Sequence, residues 1–177
     1  MAKQHKIIFD GGDFCVRHLH RDDARSLSDS ANDREVWLNL RDRFPHPYTL
    51  RNAQEWINLV ESAKPELHFA ISVEGEVAGG IGLMTQSDVS RKSAEIGYWL
   101  GRKYWGRQIM SRTLPVMTDW YFANVDIIRI FALVFARNQA SARVLEKSGY
   151  ELEGRLKRAA IKEGIILDEL LYARVLR

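Results

Sequence analysis

The sequence predicts an α/β fold: one sheet of mixed strand directions with helices against it. Three observations carry that expectation. The chain has 177 residues, 46% of them hydrophobic and 28% charged, enough for one domain with its own core. Its apolar residues switch between a period of two and a helical period in the order strand, helices, three strands, helix, strand, helix, two strands. A crossover helix separates the strand at Ser93 from the strand at Asp126, so these two are expected to run parallel within an otherwise mostly antiparallel sheet.

Residues 1–12 run into Asp10-Gly11-Gly12-Asp13, a turn signal, and are expected to form a flexible tail ahead of a single domain at 13–177. Phe14 to Leu19 alternates as a strand does. Arg21 to Ala31 reads as a helix whose Asp22 and Asp23 favour its positive end. Glu35 to Leu40 fits a second short helix, which meets Pro45 and Pro47, where regular helix is forbidden. Thr49 can cap a helix over Leu50 to Ser62 with Ala53, Trp56, Ile57 and Val60 on one face.

Leu67 to Val73 and Val77 to Thr85 flank Glu74-Gly75, a hairpin turn, and Ser93 to Leu100 is the next strand. Gly101 to Arg107 leads into a helix to about Ala123, with Met110, Leu114, Met117, Trp120 and Tyr121 on its apolar face. Pro115 inside it predicts a kink. Asp126 to Ala136 is a long apolar strand, expected to be buried on both faces. Asn138 caps a helix that stops at Gly149, and Tyr150 to Leu156 pairs with Ile165 to Val175.

Composition narrows the function. Cys15 is the one cysteine, so no disulfide can staple the chain, and a reducing, cytoplasmic setting is expected. The opening MAKQHKIIFD lacks the apolar core of a secretory signal, and the apolar run Ile127 to Ala136 is short and broken by Arg129, so no membrane association is expected. The net charge of +3 suits a polyanionic ligand and equally suits none. No run of Lys and Arg interleaved with aromatics marks a nucleic-acid face. His18, His20, His46 and His68 lack metal-ligand spacing, so no metal site is expected. Exposed sheet edges leave room for a homodimer.

The segment Glu95 to Ser111 carries the first chemical signal. A strand feeds a turn that feeds a helix, and consecutive N–H groups in such a turn form a cradle for phosphate oxygens. Gly106 allows close backbone approach, while Arg102, Lys103 and Arg107 add positive charge. The spacing by itself fits an ordinary strand–helix turn equally well. Gly79-Gly80-Ile81-Gly82 has the outline of a dinucleotide fingerprint, yet a strand and not a helix follows it, so it predicts close sheet packing.

The segment Asn138-Gln139-Ala140-Ser141-Ala142-Arg143-Val144-Leu145-Glu146-Lys147-Ser148-Gly149-Tyr150-Glu151-Leu152-Glu153-Gly154 resembles a signature of the GNAT superfamily of N-acetyltransferases, N-x-x-S-x-x-V-L-E-K-x-G-F-x-x-E-G. Lys103 to Gln108 resembles that superfamily's pyrophosphate motif, R/Q-x-x-G-x-G/A. Gly97-Tyr98-Trp99-Leu100, Tyr104-Trp105-Gly106 and Asp42 to Thr49 are similar to its RimJ/RimL-like branch. The resemblance spans about Phe14 to Arg174 and implies the GNAT acyl-CoA N-acyltransferase fold, with acetyl-CoA as donor and an amine as acceptor.

The same resemblance implies roles. The pantetheine arm of acetyl-CoA would lie along Ile96 to Leu100, held by backbone near Trp99 and Leu100, with Lys103 at the head of the phosphate motif. The N–H groups of Gly106, Arg107, Gln108, Ile109, Met110 and Ser111 would hold the pyrophosphate. Asn138 would bond the pantetheine, as well as capping its helix, and Ser141 would lie near the sulfur and serve the departing thiolate. Glu95 is the candidate base for the ammonium proton, with a surface carboxylate as the other reading. Trp37, Arg41, Phe44 and Tyr48 fall in the acceptor wall, where loop packing under two prolines explains each as well.

Three positions depart from the family pattern. Gln108 stands where Gly or Ala is usual. Leu145 replaces the tyrosine acid of many members, as in the RimL-like branch. Ala160 aligns with a glutamate carried by some ribosomal-protein members, which weakens a ribosomal-protein acceptor. Gln108 and Ala160 motivate an alternative, a non-catalytic acyl-CoA sensor of the same fold, and the basic charge with the family kinship motivates a ribosome-associated one.

Overall fold

A computed structural model describes residues 6–176 of the chain. These fall into two compact units. Residues up to Gly82 join Tyr98–Ile109 in the first, and Leu83–Gly97 joins the chain from Met110 onward in the second.

The first unit opens with β1 (Ile7–Asp10), paired antiparallel to β2 (Cys15–Arg17). Residues 7–10 are therefore a strand and not part of a loose tail, because the Gly11-Gly12 turn folds them back on β2; residues 1–5 lie outside the described residues. β2 pairs with β3 (His68–Val73), and β3 with β4 (Glu76–Thr85), both antiparallel. Glu74 and Gly75 have φ of 52° and 84°, the two left-handed residues of a type I′ hairpin turn.

A single 3-10 turn, Arg21–Asp23, precedes α1 (Ala24–Ala31), since Asp23 doubles back to accept the His20 N–H. The same carboxylate takes two 2.8 Å bonds from Arg17, and Arg17 also donates to the Gly75 carbonyl. This buried, bidentate pair ties β2, the turn before α1 and the hairpin together. α2 (Arg34–Trp37) is shorter than the predicted Glu35 to Leu40 and starts one residue earlier, where Asp33 caps it by accepting from Glu35 N–H.

α3 (Leu50–Ser62) follows Thr49, whose hydroxyl accepts the Asn52 N–H while the Asn52 side chain returns the bond. Ala53, Ile57 and Val60 point from α3 into a core with Leu19, Leu27, Ala31, Tyr48, Ala70 and Val77, and Trp56 is only half-buried at its edge. Each fully buried Leu, Ile or Val side chain among these contributes about 1.5–3 kcal/mol.

In the second unit the lower half of β5 (Ser93–Leu100) runs parallel to β6 (Arg129–Phe135), as the crossover predicts. The crossover is α4 (Ile109–Asn124), continuous through Pro115, where one intrahelical bond is lost for want of an N–H. β6 pairs with β8 (Ile165–Val175) and β8 with β7 (Glu151–Lys162), antiparallel in both cases. β7 runs six residues past the predicted Leu156, to a second left-handed pair at Glu163 and Gly164. Between β6 and β7, α5 (Gln139–Lys147) stops at Gly149, φ 80°.

The eight strands form one mixed sheet in the order β1-β2-β3-β4-β5-β6-β8-β7, with the β5–β6 pair parallel. β6 is not buried on both faces, as its apolar sequence predicts. Ile130 and Ala132 are buried, while Arg129, Phe131 and Leu133 alternate with them half-exposed. Arg129 accounts for this: its guanidinium lies 5.1 Å from the Phe131 ring and pairs with Glu153, so that face keeps contact with water. Among the described residues no helix is long and apolar enough to cross a membrane.

Candidate functional site

The turn between β5 and α4 is built by its backbone. Gly101 N–H donates to the Ala78 carbonyl at 2.8 Å, fixing the end of β5 beside β4. Arg102–Tyr104 make one 3-10 turn, and the Trp105 indole N–H then reaches back to the Leu100 carbonyl at 2.7 Å. Gly106 and Gln108 follow with φ of 74° and 57°. Two left-handed residues one apart turn the main chain sharply, and α4 starts directly after them, with the positive end of its dipole at the turn. The arrangement suits an anion held by main-chain donors.

Side chains around this turn divide into two kinds. Tyr104, Ile109 and Met110 are buried, and Ser111 is half-buried. Lys103 and Arg107 lie over the Tyr104 ring, at 4.9 Å and 5.8 Å from its centroid, which holds two cations at the turn without neutralising them. Arg102 is engaged by Asp33 at 2.9 Å. A polar hollow of about 290 Å³ lies alongside, lined by Asp29, Ser30, Asn32, Asp33, Gly101, Arg102 and Lys103. A Cβ at Gly106 would meet nothing within 4 Å, so the left-handed φ, not crowding by protein atoms, is what favours glycine there.

Trp99 and Leu100 differ in what their backbones offer. The Trp99 carbonyl is turned toward β4: a Cβ on Gly79 would lie 2.3 Å from it. Peptide groups in an extended strand alternate, so the neighbours of Trp99, namely Tyr98 and Leu100, present theirs to the other side. The Leu100 carbonyl already accepts from Trp105.

Glu95 sits on β5 opposite Phe131, half-buried, and alternates with Gly97 and Trp99 on one face of the strand, while Ala94 and Ile96 are buried on the other. Among the described residues the β5–β6 register ends at this Glu95↔Phe131 pair, though both strands continue. Asn138 Oδ1 accepts the Ser141 N–H at 3.1 Å, so the capping role expected of it is filled by its oxygen and its amide nitrogen is directed elsewhere. Ser141 is half-buried in the first turn of α5. Leu145, one turn on, is fully buried and packs as core.

The segment between α2 and α3 forms an aromatic wall. The Trp37 and His46 rings stack at 5.3 Å; Phe44 lies 4.9 Å from Tyr48 and 5.5 Å from Trp99. Tyr48 is buried, its N–H donates to Asn32, and burial pushes its phenol up to about 12, so it stays protonated at neutral pH. Arg41 is exposed at the rim. Sequence reasoning missed His68, which joins this wall. Its ring meets Trp56 edge-on at 5.1 Å and covers Gly82, where a Cβ would lie 2.1 Å from it. The signal was present in the glycines, since Gly80 and Gly82 share one face of β4 and each makes room for a ring. Among the described residues no three His, Cys, Asp or Glu side chains gather as a metal site would require.

Comparison with known proteins adds to this geometry. A family model described as "Acetyltransferase (GNAT) domain" matches residues 13–151. An uncharacterized N-acetyltransferase p20 of Bacillus licheniformis is 28% identical over 170 residues, covering 92% of each chain. A ribosomal-protein-serine acetyltransferase of Escherichia coli is 32% identical over 108 residues, which is 61% of this chain and 60% of that one. A solved structure of a RimL ribosomal L7/L12 alpha-N-protein acetyltransferase in complex with coenzyme A has a TM-score of 0.84 at 24% identity, over 97% of this chain and 98% of that one.

Proposed function

The chain belongs to the GNAT family of acetyl-CoA-dependent N-acetyltransferases, and from that premise we propose that its acceptor is a primary amine, on a protein N-terminus or a small molecule, which attacks the thioester directly. The observation that carries this reading is the turn at Gly106 and Gln108, a main-chain anion cradle within a segment matched by the family model. Its N–H groups, from Gly106 to Ser111, take the pyrophosphate, with Lys103 and Arg107 supplying charge. The pantetheine arm extends along β5 as an added strand. Backbone groups near Trp99 and Leu100 hold it, the Trp99 carbonyl itself being turned to β4. The Asn138 amide nitrogen bonds the arm, and Ser141 serves the leaving sulfur.

The chemistry asks little of the side chains. Holding amine and thioester in line supplies most of the rate. A strand N–H polarises the carbonyl oxygen. Glu95 takes a proton from the attacking nitrogen. Trp37, Arg41, Phe44 and Tyr48 line the acceptor side, where flat aromatic walls admit the methylene chain or backbone next to an amine. The relatives named for ribosomal-protein substrates make a protein N-terminus one acceptor to try first, and Ala160 keeps small amines beside it.

Release of free CoA thiol from acetyl-CoA, screened over amines and N-terminal peptides, tests the reading. Sustained release with any amine supports it and rejects a non-catalytic sensor. Calorimetry with acetyl-CoA that shows no binding would end it. Replacing Glu95 with Gln should lower the rate near neutral pH and leave acetyl-CoA affinity unchanged; an identical pH–rate profile removes Glu95 as base.

A further inference from the structure

We propose that His68 receives the proton which the acceptor ammonium must lose before it can attack. This rests on the acetyl-transfer reading above. The stoichiometry asks for one proton acceptor besides the departing thiolate: R–NH3+ and CH3CO–S–CoA become R–NH–COCH3, CoA–SH and H+. The nitrogen loses two protons, and only one of them ends on the thiol.

Geometry selects His68. Gly80 and Gly82 alternate along β4 and so face one side of it. The Trp99 indole nitrogen lies 2.9 Å from where a Cβ on Gly80 would be, and His68 Cδ2 lies 2.1 Å from where one on Gly82 would be. Two rings thus rest side by side on a floor without side chains. Phe44 closes on Trp99 at 5.5 Å and Trp56 on His68 at 5.1 Å. His68 therefore belongs to the same aromatic wall as the acceptor-side residues Phe44 and Tyr48.

Its state fits the task. Among the described residues no side chain or backbone group hydrogen-bonds the imidazole, which is half-buried and not sealed. Burial, and after it the charge of Arg43, lowers its proton affinity below that of an ordinary histidine, so it is neutral at pH 7 and able to accept. Arg43, from the segment before α3, is the charged group acting on it; Trp56 from α3 and Gly82 from β4 bring none.

The proposed step balances. A proton passes from the ammonium to the imidazole nitrogen, directly or through one water. The freed nitrogen pair forms the C–N bond as the carbonyl π pair moves to oxygen. The oxygen pair then re-forms the C=O bond as the C–S bond breaks with its pair going to sulfur, and the remaining excess proton on nitrogen ends on the thiolate.

The test compares wild type with His68→Gln, following kcat/KM for one amine from pH 6 to pH 10 alongside calorimetric acetyl-CoA affinity. The expected result is a loss of about 10²-fold near pH 7 that shrinks as the pH passes the pKa of the amine, where solvent has already removed the first proton, with acetyl-CoA affinity unchanged. A loss of equal size at every pH, or none, overturns the assignment. A second readout uses unaltered protein: a saturating unreactive amine analogue should move the His68 C2–H resonance, and an unmoved resonance counts against contact. If wild type releases no CoA with any amine, the acetyl-transfer reading itself fails, and this assignment with it.

Discussion

The Trp105 indole N–H donates to the carbonyl of Leu100 at 2.7 Å, across the turn that leads from the end of β5 toward α4. The bond is partly open to water, since Trp105 is 45% exposed. Its net contribution to stability is about 0.5–1.5 kcal/mol. Its larger consequence is geometric: it fixes where Gly106 begins. Trp105→Phe keeps a ring and removes the donor. Acetyl-CoA affinity should fall several-fold by calorimetry while the thermal midpoint moves little; a large fall in the midpoint with unchanged affinity would contradict this.

Gln108, which stands where the family usually has Gly or Ala, holds φ 57°, a left-handed conformation that suits glycine best. A left-handed side-chain-bearing residue costs about 1–2 kcal/mol, and glycine's extra freedom in the unfolded chain costs back about 0.5–1. Gln108→Gly should therefore stabilise the protein by about 0.5–1 kcal/mol in chemical denaturation. Destabilisation would mean that the Gln108 side chain makes a contact worth more than the strain.

Gly79 and Gly82 look alike in sequence and should respond differently to alanine. At Gly79 the new methyl meets a backbone oxygen, Trp99 O at 2.3 Å, with Leu100 Cα at 3.0 Å, and neither can move without breaking the strand pair. Gly79→Ala should cost about 1–3 kcal/mol or more. At Gly82 the obstacle is the His68 ring, which can swing. Gly82→Ala should cost less in stability and more in kcat/KM, read by denaturation and by thiol release.

Stability should also depend on pH through His68. Its folded-state pKa lies below the unfolded value of 6.5. Between the two, the unfolded chain binds more protons, so stability rises with pH across that window. The contribution is complete above about pH 6.5 and is lost as the pH falls toward the folded value. Thermal midpoints measured from pH 7.5 to 5 should decline, and His68→Gln should decline less over the same range.

Much of this was legible in sequence because it is local. Thr49 and Asn138 cap α3 and α5 through their own side chains and the next turn, so neighbouring residues settle the matter. The type I′ turn at Glu74-Gly75 and the stop at Gly149 are likewise decided by which residues tolerate positive φ. β1 was illegible because Ile7–Asp10 is a strand only by virtue of pairing with β2, and the far half of β7 because its exposed residues carry little alternation. Arg129 made β6 one-sided against its apolar neighbours, through a partner, Glu153, 24 residues away.

The chain by itself determined the order of its elements, their caps and turns, and the two motifs that mark an acetyl-CoA enzyme, because each depends on residues close in sequence. Only the tertiary structure decided that Trp99 turns its carbonyl toward β4, that Gln108 is left-handed, and that His68 rests on Gly82. The physical reason is common to all three. Strand pairing sets the direction of every peptide group and the seat of every ring, and the partner that sets it lies on another strand, at a distance no local pattern encodes.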